Sequence, residues 1–322
     1  MNSLAPWWLD RRSHRHWLED QADRLFRFYE RTCVDPNGGY FALGIDGRPQ
    51  ATTVRDLVGT GRMVLCFSLG CLLGRPGAGA IADHGIRFLV HQLRDDAHDG
   101  YVWEWQDGAP SDDRKMAYGH AFVLLAAAAA TAAGRPDAAA LMEDAAGVLH
   151  DRFWSEEQGR HVEQYNADWS VMDPYRGQNS NMHLVEALSA TAAVTGDSSF
   201  AVKANWIADG IVNKIARSRS WRIPEHFDEH WEIDEEYNRA DPDNVYRTFG
   251  TIPGHACEWS RLLLQLHHIN SQGSAWMPQA AAALVERAFE DAWERDGEPG
   301  MLYTVDPDGT PRNHDRYLVD SR

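Results

Sequence analysis

A repeat with a period of about 60 residues is the feature that most restricts how this chain can fold, because a period of this length indicates stacked supersecondary units. Three short segments, each a glycine followed by an extended or aromatic stretch, are centred on Gly39, Gly100 and Gly159. The two intervals between these glycines are nearly equal. A weaker copy contains Trp221, after a similar interval, and another contains Gly300, after a longer one.

Between these segments the sequence is helical. Apolar residues recur at three- and four-residue spacing in paired stretches that are separated by Gly, Pro or Asp-Ser breaks. The predicted pairs cover 52–74 and 79–95, 115–133 and 136–152, 181–196 and 198–216, and 255–272 and 275–294, with a further helix over 14–32. Hairpins of this length are too long for tetratricopeptide or HEAT units. They predict an all-α fold, a closed (α/α)6 toroid with its extended segments at one mouth.

The number of helices is short of a complete toroid. Six hairpins need twelve helices, whereas the sequence predicts four pairs and one unpaired N-terminal helix, about nine in all. We therefore expect a single domain over 1–322 that lacks the last three helices of the toroid and exposes an apolar flank.

The charge balance excludes several classes of partner. With 31 Lys and Arg against 48 Asp and Glu, the net charge is −17, and no basic run is present that could bind nucleic acid or an anionic membrane. The N-terminus lacks a secretory pattern, and the apolar run over 121–133 is too short to cross a bilayer. The four cysteines have no CxxC spacing. We predict a soluble cytoplasmic protein that binds neither nucleic acid nor membrane.

Uncommon polar residues recur near the start of the first helix of four hairpins. Equivalent positions in stacked repeats lie at the same height, so these side chains are expected to converge on one axial pocket. They are Arg62 in the first hairpin, Tyr118 and His120 in the second, Asn179, Asn181 and His183 in the third, and His255 with Glu258 in the fourth, with Arg247 just upstream.

Two of these hairpins carry a His-x-x-Glu pattern, His183 with Glu186 and His255 with Glu258. Residues three apart share one helical face, and a helix start and a carboxylate shift an imidazole pKa in opposite directions, which suits acid/base work near neutral pH. A hydrogen-bonded core histidine is the alternative. Metal binding is a third reading, but no third ligand stands out, so the sequence predicts no metal and no cofactor.

Two further sequence features bear on the ligand. The acidic run over 225–234 is predicted to be a solvated loop, and a carboxylate there that binds hydroxyl groups is the alternative. Phosphate-binding glycine loops are absent, while aromatic residues such as Tyr40, Tyr101 and Trp103 suit the apolar faces of a sugar ring or ordinary packing.

Six ordered blocks of this chain resemble the N-acylglucosamine 2-epimerase superfamily. They are NGGYFAL, the arginine of GTGRM, YGHAFVLLA, NSNMHLVEAL, DEHWEIDEEYN and YRTFGTIPGHACEWSRLLL, and they run from about Trp17 to Tyr317. The last two are most similar to mannose and sulfoquinovose isomerases. The resemblance implies an (α/α)6 barrel that isomerises a free aldose such as mannose to its ketose through a cis-enediol, without a metal or cofactor.

The resemblance also implies roles for individual residues. His255 matches one of two proton-transferring histidines, and Glu258 would support it. Arg62, His183 and Arg247 match positions that hold substrate oxygens or the enediolate. His183 is therefore placed with the catalytic residues, and Tyr118, His120 and Asn181 are predicted to bind sugar hydroxyls.

The family's second catalytic histidine lies in the C-terminal hairpins, beyond the last residues of this chain, and His314 does not match it. The chain is therefore expected to be a fragment, a barrel closed by another subunit, or a sugar-binding protein without turnover. A 2-epimerase of N-acylglucosamine or another aldose is the alternative enzyme. The sequence leaves the identity of the sugar and the oligomeric state open, and a homo-oligomer is compatible with it.

Overall fold

A computed structural model describes residues 10–242, 244, 247–269 and 274–316. The predicted domain over 1–322 thus includes short stretches outside the described residues. The described part of the chain contains nine α-helices. These are α1 (Arg12–Glu30), α2 (Leu57–Leu72), α3 (Ala78–Phe88), α4 (Ala117–Ala132), α5 (Ala138–Val148), α6 (Gln178–Thr195), α7 (Ser198–Ala208), α8 (Pro253–Ile269) and α9 (Met277–Ala292).

The helices form two layers. The inner helices α2, α4, α6 and α8 pack side by side in that order, and each of α3, α5, α7 and α9 packs on the helix before it. Composition explains this division, because α4 and α6 bury 12 of 16 and 12 of 18 residues, whereas α5 and α7 bury 5 of 11 and 4 of 11. A helix that is apolar on all sides must lie inside, and one with a single apolar face lies outside. The predicted helical-hairpin toroid is confirmed.

Three outer helices end in the same way. A π-helical turn extends α3 over Leu89–Leu93, α5 over Leu149–Phe153 and α7 over Asp209–Ala216. A π turn inserts one extra residue into a helix and changes the direction of the side chains that follow. The first two π turns each begin and end with a buried apolar residue. These are Leu89 and Leu93 after α3, and Leu149 and Phe153 after α5.

Short strands precede the inner helices. The strands are β1 (Arg55–Asp56), β2 (Glu104–Gln106), β3 (Ala109–Asp112), β4 (Lys115–Met116), β5 (Trp154–Ser155), β6 (Arg160–His161), β7 (Gln164–Tyr165), β8 (Arg176–Gly177), β9 (His226–Phe227), β10 (Leu302–Val305) and β11 (Pro311–Arg316). The strands β1, β4 and β8 lead directly into α2, α4 and α6 and pair with β2, β7 and β9. A bridge between Thr251 and Val305 holds the chain before α8. Backbone pairing therefore fixes the start of each inner helix.

The first residue of each leading strand is a buried cation. Arg55 lies 2.7 Å from Asp35, and Lys115 lies 2.6 Å from Asp95. The third cation, Arg176, donates to the backbone carbonyl oxygens of Asp173 and Tyr175 instead. Two of the three buried cations therefore have a carboxylate partner, and the third is hydrogen-bonded to backbone carbonyl groups.

The N-terminal helix α1 packs against the first hairpin through one face. Phe26 contacts Phe67 edge to face at 5.6 Å, and Arg75 forms ion pairs with Asp23 and Glu30. Its other face exposes apolar side chains, such as Leu25 at 61%. None of the helices in the described part of the chain combines the length and apolarity needed to cross a membrane.

Candidate active site

His255 lies in the first turn of α8, which begins at Pro253. Proline is favoured at a helix start because the N–H that it lacks would have no helical partner there. The ring is buried, and its Nδ1 lies 2.9 and 3.0 Å from the two carboxylate oxygens of Glu225. The proton on Nδ1 is therefore donated to the carboxylate, so proton exchange with a ligand falls to Nε2 on the other side of the ring.

Three groups hold Glu225 in place. The side-chain amide of Gln178, at the start of α6, donates to Glu225 Oε2 at 2.7 Å. The indole N–H of Trp259 donates to Gln178 Oε1 at 2.7 Å, which fixes the orientation of that amide. The backbone N–H of Ile252 donates to Glu225 Oε1 at 3.2 Å. A buried carboxylate with this many donors is held rigidly and stays ionised.

The buried pair shifts both pKa values. Burial alone would lower the pKa of His255, but the negative charge and hydrogen bond of Glu225 outweigh it and raise the pKa. Burial alone would raise the pKa of Glu225, but the charge and hydrogen bond of His255 and the amide of Gln178 lower it. The pair thus favours an imidazolium beside a carboxylate, which is the state of a base that has just accepted a proton.

Glu225 corrects the sequence-based interpretation of the acidic run. Only 5% of this residue is exposed, and the solvated loop that was expected over 225–234 starts at Asp228. The apolar neighbours Ile223 and Phe227 are the signal that could have separated Glu225 from the charged residues after it. Glu258, the predicted partner of His255, is only partly buried, and its charge adds to the raised pKa of His255 from one turn away.

A second cluster brings together residues from three inner helices. Arg62 on α2 donates from Nη2 to the hydroxyl of Tyr118 on α4 at 3.1 Å, and its guanidinium lies 4.5 Å from the centre of the Phe122 ring. The ring of His183 on α6 lies 5.3 Å from Tyr118 and 4.7 Å from Phe122. Each of these side chains stands near the start of its helix. The structure therefore places Arg62, Tyr118 and His183 in one group, a cation and an imidazole around a phenol.

Glu186 joins this cluster to α8. His183 Nδ1 lies 3.2 Å from Glu186 Oε2, and Arg261 on α8 donates to Glu186 Oε1 at 2.7 Å. Burial opposes ionisation of Glu186, but the hydrogen bond from His183 and the charge of Arg261 lower its pKa to about 2. The carboxylate is ionised at neutral pH and fixes the ring orientation of His183.

Two predicted sugar ligands have structural contacts instead. The N–H of Tyr101 donates to His120 Nε2 at 3.0 Å, and His120 Nδ1 donates to the carbonyl of Met116 at 2.8 Å. The Asn181 side chain accepts from the N–H of His161 at 3.0 Å and donates to His161 and Gly177 carbonyls. Both residues are fully buried. Their polar atoms are used by backbone groups, and the assignment of His120 and Asn181 as sugar ligands stays a prediction.

Arg247 contacts a different group of residues from the one that Arg62 contacts. Its guanidinium is 4.1 Å from the centre of the Tyr175 ring, donates to the Tyr237 hydroxyl at 3.1 Å and lies 3.3 Å from Asp173. Burial alone would lower the pKa of Arg247, but the charge of Glu163 and the contact with Tyr237 raise it. The negative charges of Asp173 and Glu163 weaken the attraction that the Arg247 guanidinium can exert on an anionic ligand.

Asn179, in the first turn of α6, has a buried side-chain oxygen with no hydrogen-bond partner in the described structure. A buried amide oxygen without a donor is costly, and the hydroxyl group of a ligand would satisfy it. Within the described residues, no three His, Cys, Asp or Glu side chains are grouped as metal ligands.

A comparison with protein families decides the relationship. The family model for N-acylglucosamine 2-epimerase matches residues 38–319 of this chain. The chain belongs to the N-acylglucosamine 2-epimerase family. The match includes all the candidate residues described above, and the resemblance that the sequence blocks indicate is confirmed. As a member of this family, the protein is a sugar isomerase or epimerase.

Relatives within the N-acylglucosamine 2-epimerase family are similar over most of their length. The D-mannose isomerase of Thermobifida fusca is 42% identical over 305 residues, which cover 94% of this chain and 75% of that protein. The D-mannose isomerase of Pseudomonas cannabina pv. alisalensis is 38% identical over 311 residues, covering 94% and 74%. A crystal structure of D-mannose isomerase is 32% identical, with a TM-score of 0.89 over 98% of this chain and 79% of that one.

Proposed function

We propose that the protein is an aldose–ketose isomerase that interconverts free mannose and its ketose. The observation that carries this proposal is the buried pair of His255 and Glu225, because an imidazole held by an ionised carboxylate is a suitable base for a carbon acid. The similarity to two D-mannose isomerases supports the choice of mannose over other sugars.

The proposed reaction moves one proton from C2 to C1 and one from O2 to O1, and it moves no heavy atom. Nε2 of His255 removes the proton from C2 of the open-chain aldose, and Glu225 stabilises the imidazolium that forms. The electrons of the C–H bond form the double bond of a cis-enediol, whose oxygens carry the developing negative charge. O1 is protonated as the enediol forms, and return of a proton to C1 with loss of the proton on O2 then gives the ketose.

The cluster around Tyr118 has a separate task. Arg62 carries a positive charge, and His183 is oriented by Glu186, so the two can donate hydrogen bonds to the oxygens on C1 and C2. Stabilisation of a developing oxyanion by preorganised donors is commonly the largest single contribution to such catalysis. Asn179 and Arg247 are proposed to bind further hydroxyl groups, and no metal or cofactor is required in this scheme.

The test follows the proton. Incubation of the protein with mannose in deuterated water should give the ketose with deuterium at C1, detected by NMR. The His255→Asn variant should lose both product and label, while Lys214→Met, a change at an exposed lysine in the π turn after α7, should retain both. Absence of ketose and of label with any aldose would overturn the proposal.

An epimerase is the second candidate. A cellobiose 2-epimerase from Dictyoglomus turgidum is 34% identical over 110 residues, 33% of this chain, so the family contains both activities. An epimerase would return the proton to C2 from the opposite face. Its product would be an aldose labelled at C2, and the same NMR experiment therefore separates the two reactions.

A further inference from the structure

A cavity of about 440 Å³ lies between the second and third hairpins, away from the candidate active site. Its lining comes from α4 and α5, the π turn after α5, β6, α6 and α7. The buried side chains of Leu124, Leu149 and Leu188 and the partly buried ring of Phe200 give it an apolar lining. The volume falls in the range of small-molecule sites, which are mostly apolar with a few convergent polar groups.

Two polar groups on this cavity could take a further partner: Lys203, which has no ion pair among the described residues, and His161, which has a ring nitrogen without a hydrogen bond there. Lys203 on α7 is partly buried and forms no ion pair among the described residues, although the chain has 17 more acidic than basic side chains. Its ammonium group instead donates to Nδ1 of His150 at 2.8 Å. Burial lowers the pKa of Lys203, although the negative charges of Glu156 and Asp151 act to raise it.

His161 is the second such group. Only 2% of this residue is exposed, and its Nδ1 has no hydrogen-bond partner in the part of the chain that the structure describes. The rings of His161 and Trp154 are 4.9 Å apart, and the Lys203 ammonium lies 5.1 Å from the centre of the same indole. Both residues line the cavity, and both contact the same indole ring.

Gly147 keeps the cavity open. It lies in α5, and a Cβ atom built on it would meet no described atom within 4 Å. Glycine inside a helix is unfavourable relative to alanine by about 1 kcal/mol, and nothing in the packing at this position requires it. The absence of a side chain here leaves space that the neighbouring helices do not fill.

We propose that this cavity binds a small carboxylate with an apolar body. The carboxylate would accept a hydrogen bond from Lys203, the apolar body would cover the three leucines, and a polar substituent would reach Nδ1 of His161. Such a ligand supplies the missing anion, the missing hydrogen-bond partner and the missing packing together. This site is independent of the proposed isomerase reaction, and its test reads binding alone.

The probes are phenylacetate, 4-hydroxyphenylacetate and the uncharged 2-phenylethanol. Titration of the full chain, followed by calorimetry and by the amide resonance of Gly147, should show saturable binding, with 4-hydroxyphenylacetate tightest. The Lys203→Met variant should weaken the two carboxylates about tenfold, the order expected for one charge-assisted hydrogen bond, without affecting 2-phenylethanol. Gly147→Leu should abolish binding by filling the cavity.

Matched controls separate a site from a general effect. Lys214→Met removes a charge at an exposed position, and Ala140→Leu places a leucine on an exposed face of α5, so both should bind like the parent. The proposal would be overturned by no saturable binding at about 20 mM, above the low-millimolar dissociation constant expected for ligands of this size. Equal affinity in the parent and in Gly147→Leu would also overturn it.

Discussion

At the scale of single residues, the buried pair of His255 and Glu225 is central. The sequence block identifies the histidine but not its partner, because Glu225 is 30 residues away and sits in an acidic stretch. A charged residue is buried only where the fold supplies its partners, and Gln178, which holds Glu225, is 77 residues from His255. Such contacts come from tertiary packing and have no local sequence pattern.

Replacing Glu225 with Gln should keep the shape of this pair and remove its charge. Without the carboxylate, burial dominates, so the pKa of His255 should fall and the acidic limb of the kcat/KM profile should move to lower pH. The plateau rate should drop at least about a hundredfold, because the imidazolium loses its stabilisation. Profiles of the parent, Glu225→Gln and the exposed control Glu229→Gln provide the measurement. An unmoved limb would show that Glu225 does not set the pKa of His255.

His120 gives a prediction of the opposite kind. Replacing it with Leu should leave the N–H of Tyr101 unpaired and remove the hydrogen bond from the ring to the carbonyl of Met116, and so lower the free energy of unfolding by about 3 kcal/mol. The KM for mannose should not change, because both ring nitrogens of His120 are hydrogen-bonded to backbone groups. Urea unfolding and steady-state kinetics measure the two effects. A raised KM at unchanged stability would instead support the sequence-based assignment of His120 as a sugar ligand.

At the scale of secondary structure, the helices follow their apolar periodicity closely. The stretch predicted over 115–133 is observed as α4 (Ala117–Ala132), and that over 14–32 as α1 (Arg12–Glu30). The π turns after α3, α5 and α7 have no sequence signal, because one inserted residue hardly changes a 3.6-residue pattern. The strands are predicted only as extended segments, since most of them are two residues long and depend on a partner far along the chain.

Two helical glycines test how packing and helix propensity compete. A Cβ atom on Gly61 of α2 would lie 3.0 Å from the backbone carbonyl oxygen of Phe122 on α4, whereas one on Gly147 would meet no described atom. Intrinsic helix propensity favours alanine by about 1 kcal/mol at both positions. We therefore expect Gly147→Ala to stabilise the protein by up to that amount.

Gly61→Ala should instead destabilise the protein by about 1–2 kcal/mol, because the two helices must move apart. The same shift would separate Arg62 from Tyr118 and reduce kcat. Thermal unfolding of both variants, with activity assays on Gly61→Ala, gives the comparison. Equal stabilisation by the two alanines would show that α2 and α4 can separate at no cost.

At the scale of the whole molecule, the inner helices form an arc from α2 to α8 within the described residues, and the chain spans about three quarters of the D-mannose isomerases that it matches. The toroidal class, the hairpin period and the convergence of several helix starts are all predictable from spacing. Spacing does not predict which polar residues bind backbone groups and which are left to bind a ligand. His120 and His183 occupy similar positions near their helix starts and differ only in what packs around them.

Buried histidines should make global stability depend on pH. Burial lowers the pKa of His120 to about 4 and that of His161 to about 3, so both are neutral when folded and gain protons on unfolding below about pH 6.5. The stability that the two neutral histidines contribute is fully present above about pH 6.5. It is lost as the pH falls toward their pKa values in the folded protein. Each should reduce the free energy of unfolding by about 1.4 kcal/mol per pH unit in this window.

The variant His161→Leu isolates one of these protons. Urea unfolding between pH 4.5 and 6.5 should give a slope shallower by one proton than that of the parent, while the exposed control His91→Leu should leave the slope unchanged. An identical slope for His161→Leu and the parent would mean that His161 is already protonated in the folded protein.

The buried ion pairs in front of the inner helices have a consequence for how the chain can vary. In each of the first two repeats, the carboxylate and its cation are 20 residues apart. The pairs are Asp35 with Arg55 and Asp95 with Lys115. The second pair follows the first by one period of the repeat. Removing one partner would strand a charge inside the protein, at a cost of about 3–5 kcal/mol. Insertions are therefore tolerated only where they leave both members of a pair in place. A segment that runs from one carboxylate to the residue before the next contains both members of an ion pair. Such a segment could be duplicated or exchanged without leaving a buried charge unpaired.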